Sequence, residues 1–89
     1  MIRVRVRYTG RVQGVGFRAT CRSLARDARI TGWVLNEHDG SVTLEAQGEA
    51  ADVEAFLSRV RESLSRYIHG EDRSSLPVDP NEDAFIVQR

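Results

Sequence analysis

Between Tyr8 and Phe17 the hydrophobic repeat of this 89-residue chain changes its period, and no other feature limits its fold as strongly. Before the change, Ile2, Val4, Val6 and Tyr8 alternate with Arg3, Arg5 and Arg7. That is the period-two pattern of a strand with one buried and one wet face. After it, Phe17, Cys21, Leu24, Ala25 and Ala28 recur at the spacing of one helical face, with Arg22, Arg26 and Asp27 outside. The joint between them, Thr9 to Gly16, is rich in glycine and turns the chain.

The alternation of strand and helix patterns continues. Thr31 to Asn36 reads as a strand, Glu37-His38-Asp39-Gly40 as a turn whose Asp-Gly pair signals a hairpin, and Ser41 to Gln47 as its second strand, with Val42, Leu44 and Ala46 inward. Gly48 breaks that pattern. Val53, Phe56, Leu57, Val60 and Leu64 then mark a second helix from Asp52 to about Arg66. Tyr67 to Ser74 reads as a short strand weakened by Gly70-Glu71-Asp72, Pro77 and Pro80 lie in a polar connection ending at Asp83, and Ala84 to Val87 reads as a closing strand. The order βαββαβ, plus that short C-terminal strand, predicts an α+β, ferredoxin-like sandwich: an antiparallel sheet with both helices on one face. The length predicts a single domain over residues 1–89. Such a fold does not name a function.

Composition narrows the classes. No run of 18 apolar residues offers a membrane span, and the alternating N-terminus is unlike the continuous apolar stretch of a signal peptide, so a cytoplasmic protein is expected. Cys21, the single cysteine, excludes an internal disulfide and fits an inert core thiol, and Trp33 also reads as core. His38 and His69 lack ligand-like spacing, so no metal is expected. The net charge of zero hides an asymmetry: residues 1–36 hold eight arginines and one acid, whereas residues 37–89 hold five arginines and twelve acids. A basic field around the glycine-rich segment can steer a small anion, or the charges can simply be solvated and unevenly spaced. Glu71, Asp72, Asp79, Glu82 and Asp83 read as a solvated loop. The Arg3, Arg5, Arg7 face lacks aromatic residues for base stacking, so no nucleic-acid partner is expected.

Gly14 and Gly16 flank Val15 between a strand and a helix. Glycine there permits left-handed backbone and close approach to a ligand. Successive N–H groups can then form an anion nest, to which the helix beginning near Phe17 adds its unpaired donors and positive dipole end. Arg18, in the first helical turn, can make a forked contact to two phosphate oxygens. A plain glycine-rich turn before a helix has the same composition, and Asn36 alone reads equally as a turn-former. The segment is neither a dinucleotide fingerprint, for want of a third glycine, nor a nucleoside-triphosphate loop, for want of a lysine.

Gly10-Arg11-Val12-Gln13-Gly14-Val15-Gly16-Phe17-Arg18 resembles the signature of the acylphosphatase family, and Gly32-Trp33-Val34-Leu35-Asn36 resembles that family's second motif. The likeness runs from residue 3 to about 66. It departs at Leu35, where many relatives carry a basic residue, and across Arg66 to Asp83. The resemblance implies an enzyme, independent of metal and cofactor, that hydrolyses small acyl phosphates to carboxylate and inorganic phosphate; a monomer is the simplest expectation. It implies that main-chain N–H groups of Gln13, Gly14, Val15, Gly16, Phe17 and Arg18 bind phosphate, that Arg18 clamps it, and that Asn36 positions the attacking water. The alternative from the residues alone is a ferredoxin-like module that binds phosphate or another anion without turnover.

Overall fold

The computed structural model describes all of residues 1–89. The strands are β1 (Ile2–Gly10), β2 (Ile30–Asn36), β3 (Val42–Gly48), β4 (Ile68–Leu76) and β5 (Phe85–Gln88). Between them lie the helices α1 (Phe17–Arg26) and α2 (Ala50–Ser63). They form one five-stranded sheet in the order β4-β1-β3-β2-β5. The four longer strands pair antiparallel, as the βαββαβ pattern predicts. The closing strand instead runs parallel to β2, with Gly32 opposite Phe85 and Leu35 opposite Gln88.

Both helices cover one face. Val4, Val6 and Tyr8 of β1, Val34 of β2 and Val42, Leu44 and Ala46 of β3 meet Phe17, Cys21 and Ala25 of α1 and Val53, Phe56, Leu57 and Val60 of α2. These fall among 17 buried apolar residues forming one core. The strict alternation in β1 and β3 decides which side of the sheet faces that core, because a one-residue slip would turn every inward apolar side chain to the opposite, polar face.

Three expectations are corrected on the opposite face. Arg3 is not on a wet surface but only 6% exposed. The register sets Arg3 opposite Gln47 and Arg5 opposite Glu45, and Arg3 donates to Glu45 Oε1 at 2.9 Å, Gln47 Oε1 at 3.0 Å and Glu82 Oε1 at 2.8 Å. Glu82 therefore does not belong to a solvated acidic loop. It also accepts from Thr31 at 2.7 Å and holds the connection after β4 against the sheet, aided by Gln47, whose amide both donates to and accepts from the Asp79 backbone. Glu71 leaves the solvated set as well, but on the helix side, where it pairs with Arg61 of α2. Trp33 lies on this outer face, half-buried, because alternation along β2 sends Gly32, Val34 and Asn36 toward the helices and Trp33 and Leu35 away.

The strand expected over Tyr67 to Ser74 is present, starting one residue later and ending two residues later. β4 runs nine residues and pairs with β1 from Arg3–Leu76 to Gly10–Ile68, its register shifting between Thr9 and Gly10. It is an edge strand whose middle carries little apolar cargo, so backbone pairing and ion pairs from Arg61 and Arg73 hold it rather than burial.

Candidate active site

The segment joining β1 to α1, the end of β2 and the end of β5 surround a cavity of about 560 Å³ on the helix side of the sheet. Its shape follows from how the glycine-rich loop is pinned. Tyr8 and Phe17, one on each side of the loop, are buried and pack with ring centroids 5.0 Å apart. Val12 is fully buried between them, and the Arg11 N–H donates to the Tyr67 carbonyl at 3.0 Å. The Gln13 side chain reaches across to the β2–β3 hairpin, donating to the carbonyls of Glu37 at 2.7 Å and Ser41 at 2.9 Å. The loop is thus tied to the same hairpin that carries Asn36.

Gly14 and Gly16 both take left-handed backbone, with φ of 76° and 78°. No backbone carbonyl accepts from the N–H groups of Gln13 to Gly16. Gly16 also caps α1 with no side-chain hydrogen bond, and the first turn of the helix carries no acid. A run of free donors at the positive end of a helix is a ready anion site. Arg18 stands beside it, its Nη1 donating to the Gln88 carbonyl of β5 at 2.8 Å. Asn36, at the end of β2, lines the same cavity. Its Oδ1 is buried and has no hydrogen-bond partner in the protein, which is unusual for a buried polar atom.

Of the residues expected to bind, Gly14, Gly16, Phe17, Arg18 and Asn36 line the cavity together. Gln13 and Val15 do not: the side chain of Gln13 is spent on the hairpin and Val15 packs against the core, so each has only its N–H group for a ligand. Sequence reasoning missed Arg22, Arg26, Val87 and Arg89, which also line the cavity. The first two repeat at intervals of four from Arg18, a spacing that marks one helical face. Leu35 faces away and is not part of the lining. The cavity holds four arginines and no carboxylate side chain. Cys21, on the buried face of α1, is an unreactive thiol, its pKa pushed up to about 12 by burial.

The family model for acylphosphatases matches residues 4–86. The chain belongs to the acylphosphatase family. It is 44% identical over 72 residues to the acylphosphatase of Oceanobacillus iheyensis, covering 81% of this chain and 79% of that one. It is 41% identical to the acylphosphatase of Clostridium acetobutylicum, covering 98% and 97% of the two chains. The crystal structure of acylphosphatase from Bacillus subtilis superposes with a TM-score of 0.88 at 26% identity, each chain covered in full. The expected ferredoxin-like fold and the expected enzyme class both hold: like its relatives, the enzyme hydrolyses acyl phosphates. The matched span runs through the residues between 66 and 83 where the sequence likeness weakens, and β4 occupies its place there. No helix is long and apolar enough to cross a membrane.

Proposed function

We propose that the N–H groups of Gln13 to Arg18 and the guanidinium of Arg18 hold the phosphoryl group of a small acyl phosphate, and that Asn36 places the attacking water. The observation that carries this reading is the buried, unpartnered Oδ1 of Asn36 in the same cavity as the free loop donors. A water hydrogen-bonded to the Asn36 side-chain amide is held with its lone pair turned toward the phosphorus. The water oxygen bonds to phosphorus as the phosphorus–oxygen bond to the acyl group breaks. The electron pair leaves on the carboxylate, and the water's proton ends on the phosphate.

The chemistry asks little more of the protein. The leaving carboxylate has a conjugate acid of pKa about 4, judged from side-chain carboxyls, and departs without a proton. Phosphoryl transfer spreads charge over three equatorial oxygens, so positioning and electrostatic stabilisation supply most of the rate. Loop donors and one arginine serve that purpose. Arg18, already held by Gln88, is oriented before the substrate arrives. Within this reading residues 1–89 act as a single domain and as a monomer, in the cytoplasm.

The test is hydrolysis of benzoyl phosphate in the presence of a chelator. Asn36→Ala is expected to lose kcat by roughly a hundredfold or more with a modest change in KM, the scale seen when one preorganised polar group is removed. Arg18→Ala is expected to lower kcat and raise KM together, and Arg18→Lys to recover only part, since a lysine cannot make a forked contact. Full activity in either alanine variant would remove that residue from the mechanism. A wild type that is stabilised by phosphate on melting but releases none from benzoyl phosphate would be a binding module instead.

A further inference from the structure

Nothing in the handling of one phosphoryl group accounts for Arg22 and Arg26. Eight of the thirteen arginines lack a carboxylate within 4.0 Å, and four of those eight line this one cavity. Elsewhere the basic residues facing acids are neutralised: Arg3, Arg5, Arg7, Arg61 and Arg73 all have acidic partners. Arg18, Arg22 and Arg26 form a row on α1 at a rise of about 6 Å per step, so Arg26 stands about 12 Å from Arg18 along the helix. Ala19 and Ser23, small side chains on the same wall, leave the row accessible from the cavity. The loop donors and Arg18 suffice for a phosphoryl dianion, which leaves three cations in the lining: Arg89 at the end of the chain, and Arg22 and Arg26 spaced along the helical wall, within reach of whatever extends from the phosphorus along α1.

We infer that Arg22 and Arg26 are specificity-determining residues that select acyl phosphates whose acyl group carries a second anionic group at its far end. A carboxylate and a phosphate fit equally, because a guanidinium fork matches both. This inference rests on the acyl-phosphate reading of the cavity but goes beyond it, because it assigns recognition of the acyl group, for which the loop makes no provision.

The experiment compares kcat/KM for 4-carboxybenzoyl phosphate and 4-phosphonobenzoyl phosphate with that for neutral 4-methylbenzoyl phosphate. Wild type is expected to favour at least one anionic substrate by tenfold or more at low ionic strength, and the better of the two identifies the source of the second anion. Arg22→Gln and Arg26→Gln are each expected to cut that preference severalfold, and the double variant to abolish it. Arg22→Lys should keep the general attraction and lose part of the preference. Arg29→Gln, which removes the same charge outside the cavity, should leave the preference intact and so separates local recognition from net charge. A wild type that hydrolyses 4-methylbenzoyl phosphate with no anionic preference, or a preference that survives the double variant, overturns the inference while leaving the hydrolytic reading standing. Failure to hydrolyse any of the three would instead strike the hydrolytic reading.

Discussion

At Gly14 and Gly16, room and backbone conformation can be told apart. A Cβ at either position would meet no atom within 4 Å, yet both residues sit at left-handed φ. A side chain there is therefore opposed only by backbone geometry, at about 1–2 kcal/mol per residue. Gly14→Ala and Gly16→Ala are expected to leave the core intact and to deform the loop. Inhibition of benzoyl phosphate hydrolysis by inorganic phosphate should weaken by roughly 5- to 30-fold, the same energy expressed as binding, while Tm falls by no more than roughly 4–16 °C. Unchanged inhibition in both variants would show that the left-handed pair is dispensable. The sequence shows the two glycines and the arginine two residues beyond them, but a plain turn before a helix has the same composition, and only the family resemblance singles them out as a site. Asn36 is less legible. An asparagine at the end of a strand is an ordinary turn residue, and only the family resemblance and its unpartnered oxygen set it apart.

At the scale of elements, β3 shows what a local pattern conceals. Its inward valine, leucine and alanine are evident from alternation, but Thr43, Glu45 and Gln47 on its other face are buried as well. Glu45 accepts from Arg3 and Arg5, the latter at 2.8 Å, and is only 5% exposed. Removing one partner of a buried ion pair costs about 3–5 kcal/mol. Because Arg3 keeps Glu82, Glu45→Ala should fall at the lower end, near 3 kcal/mol, and lower Tm by roughly 10 °C or more. Thermal melts of wild type, Glu45→Ala and Glu45→Gln check this, with Gln expected between the other two. A Glu45→Ala variant melting with wild type would mean that the outer network contributes nothing. Neither the network nor the full length of β4 can be read from nearby residues: Arg3 meets partners 42, 44 and 79 positions away, and β4 gains its order from the edge it joins.

For the whole molecule, the asymmetry of charge along the sequence becomes a division in space. Acids from the second half neutralise the arginines of β1, while those of α1 stay free around the cavity. Acid should weaken the molecule through its surface pairs. Hydrogen bonds from Ser41 and Arg7 hold the Asp39 carboxyl well below its ordinary value, and Arg73 lowers that of Glu54. Each folded carboxyl binds its proton less readily than the unfolded one. The stability they supply is therefore complete above about pH 5 and is lost as pH falls through the depressed folded values. Tm measured from pH 7 down to pH 2.5 should hold steady and then drop, with a shallower drop in Asp39→Asn and Glu54→Gln and in high salt. Equal slopes in wild type and both variants would count against these two groups.

The hydrogen bond from Arg18 to Gln88 spans 70 residues of chain. A chain growing on the ribosome can turn its glycine-rich loop, wind α1 and pair β2 with β3 long before residue 88 is made. Throughout that interval the arginine beside the anion nest lacks the contact that orients it. Catalytic competence is thus expected to arrive in a single late step, when β5 docks against β2, and a release series of nascent chains should show binding of phosphate before it shows turnover.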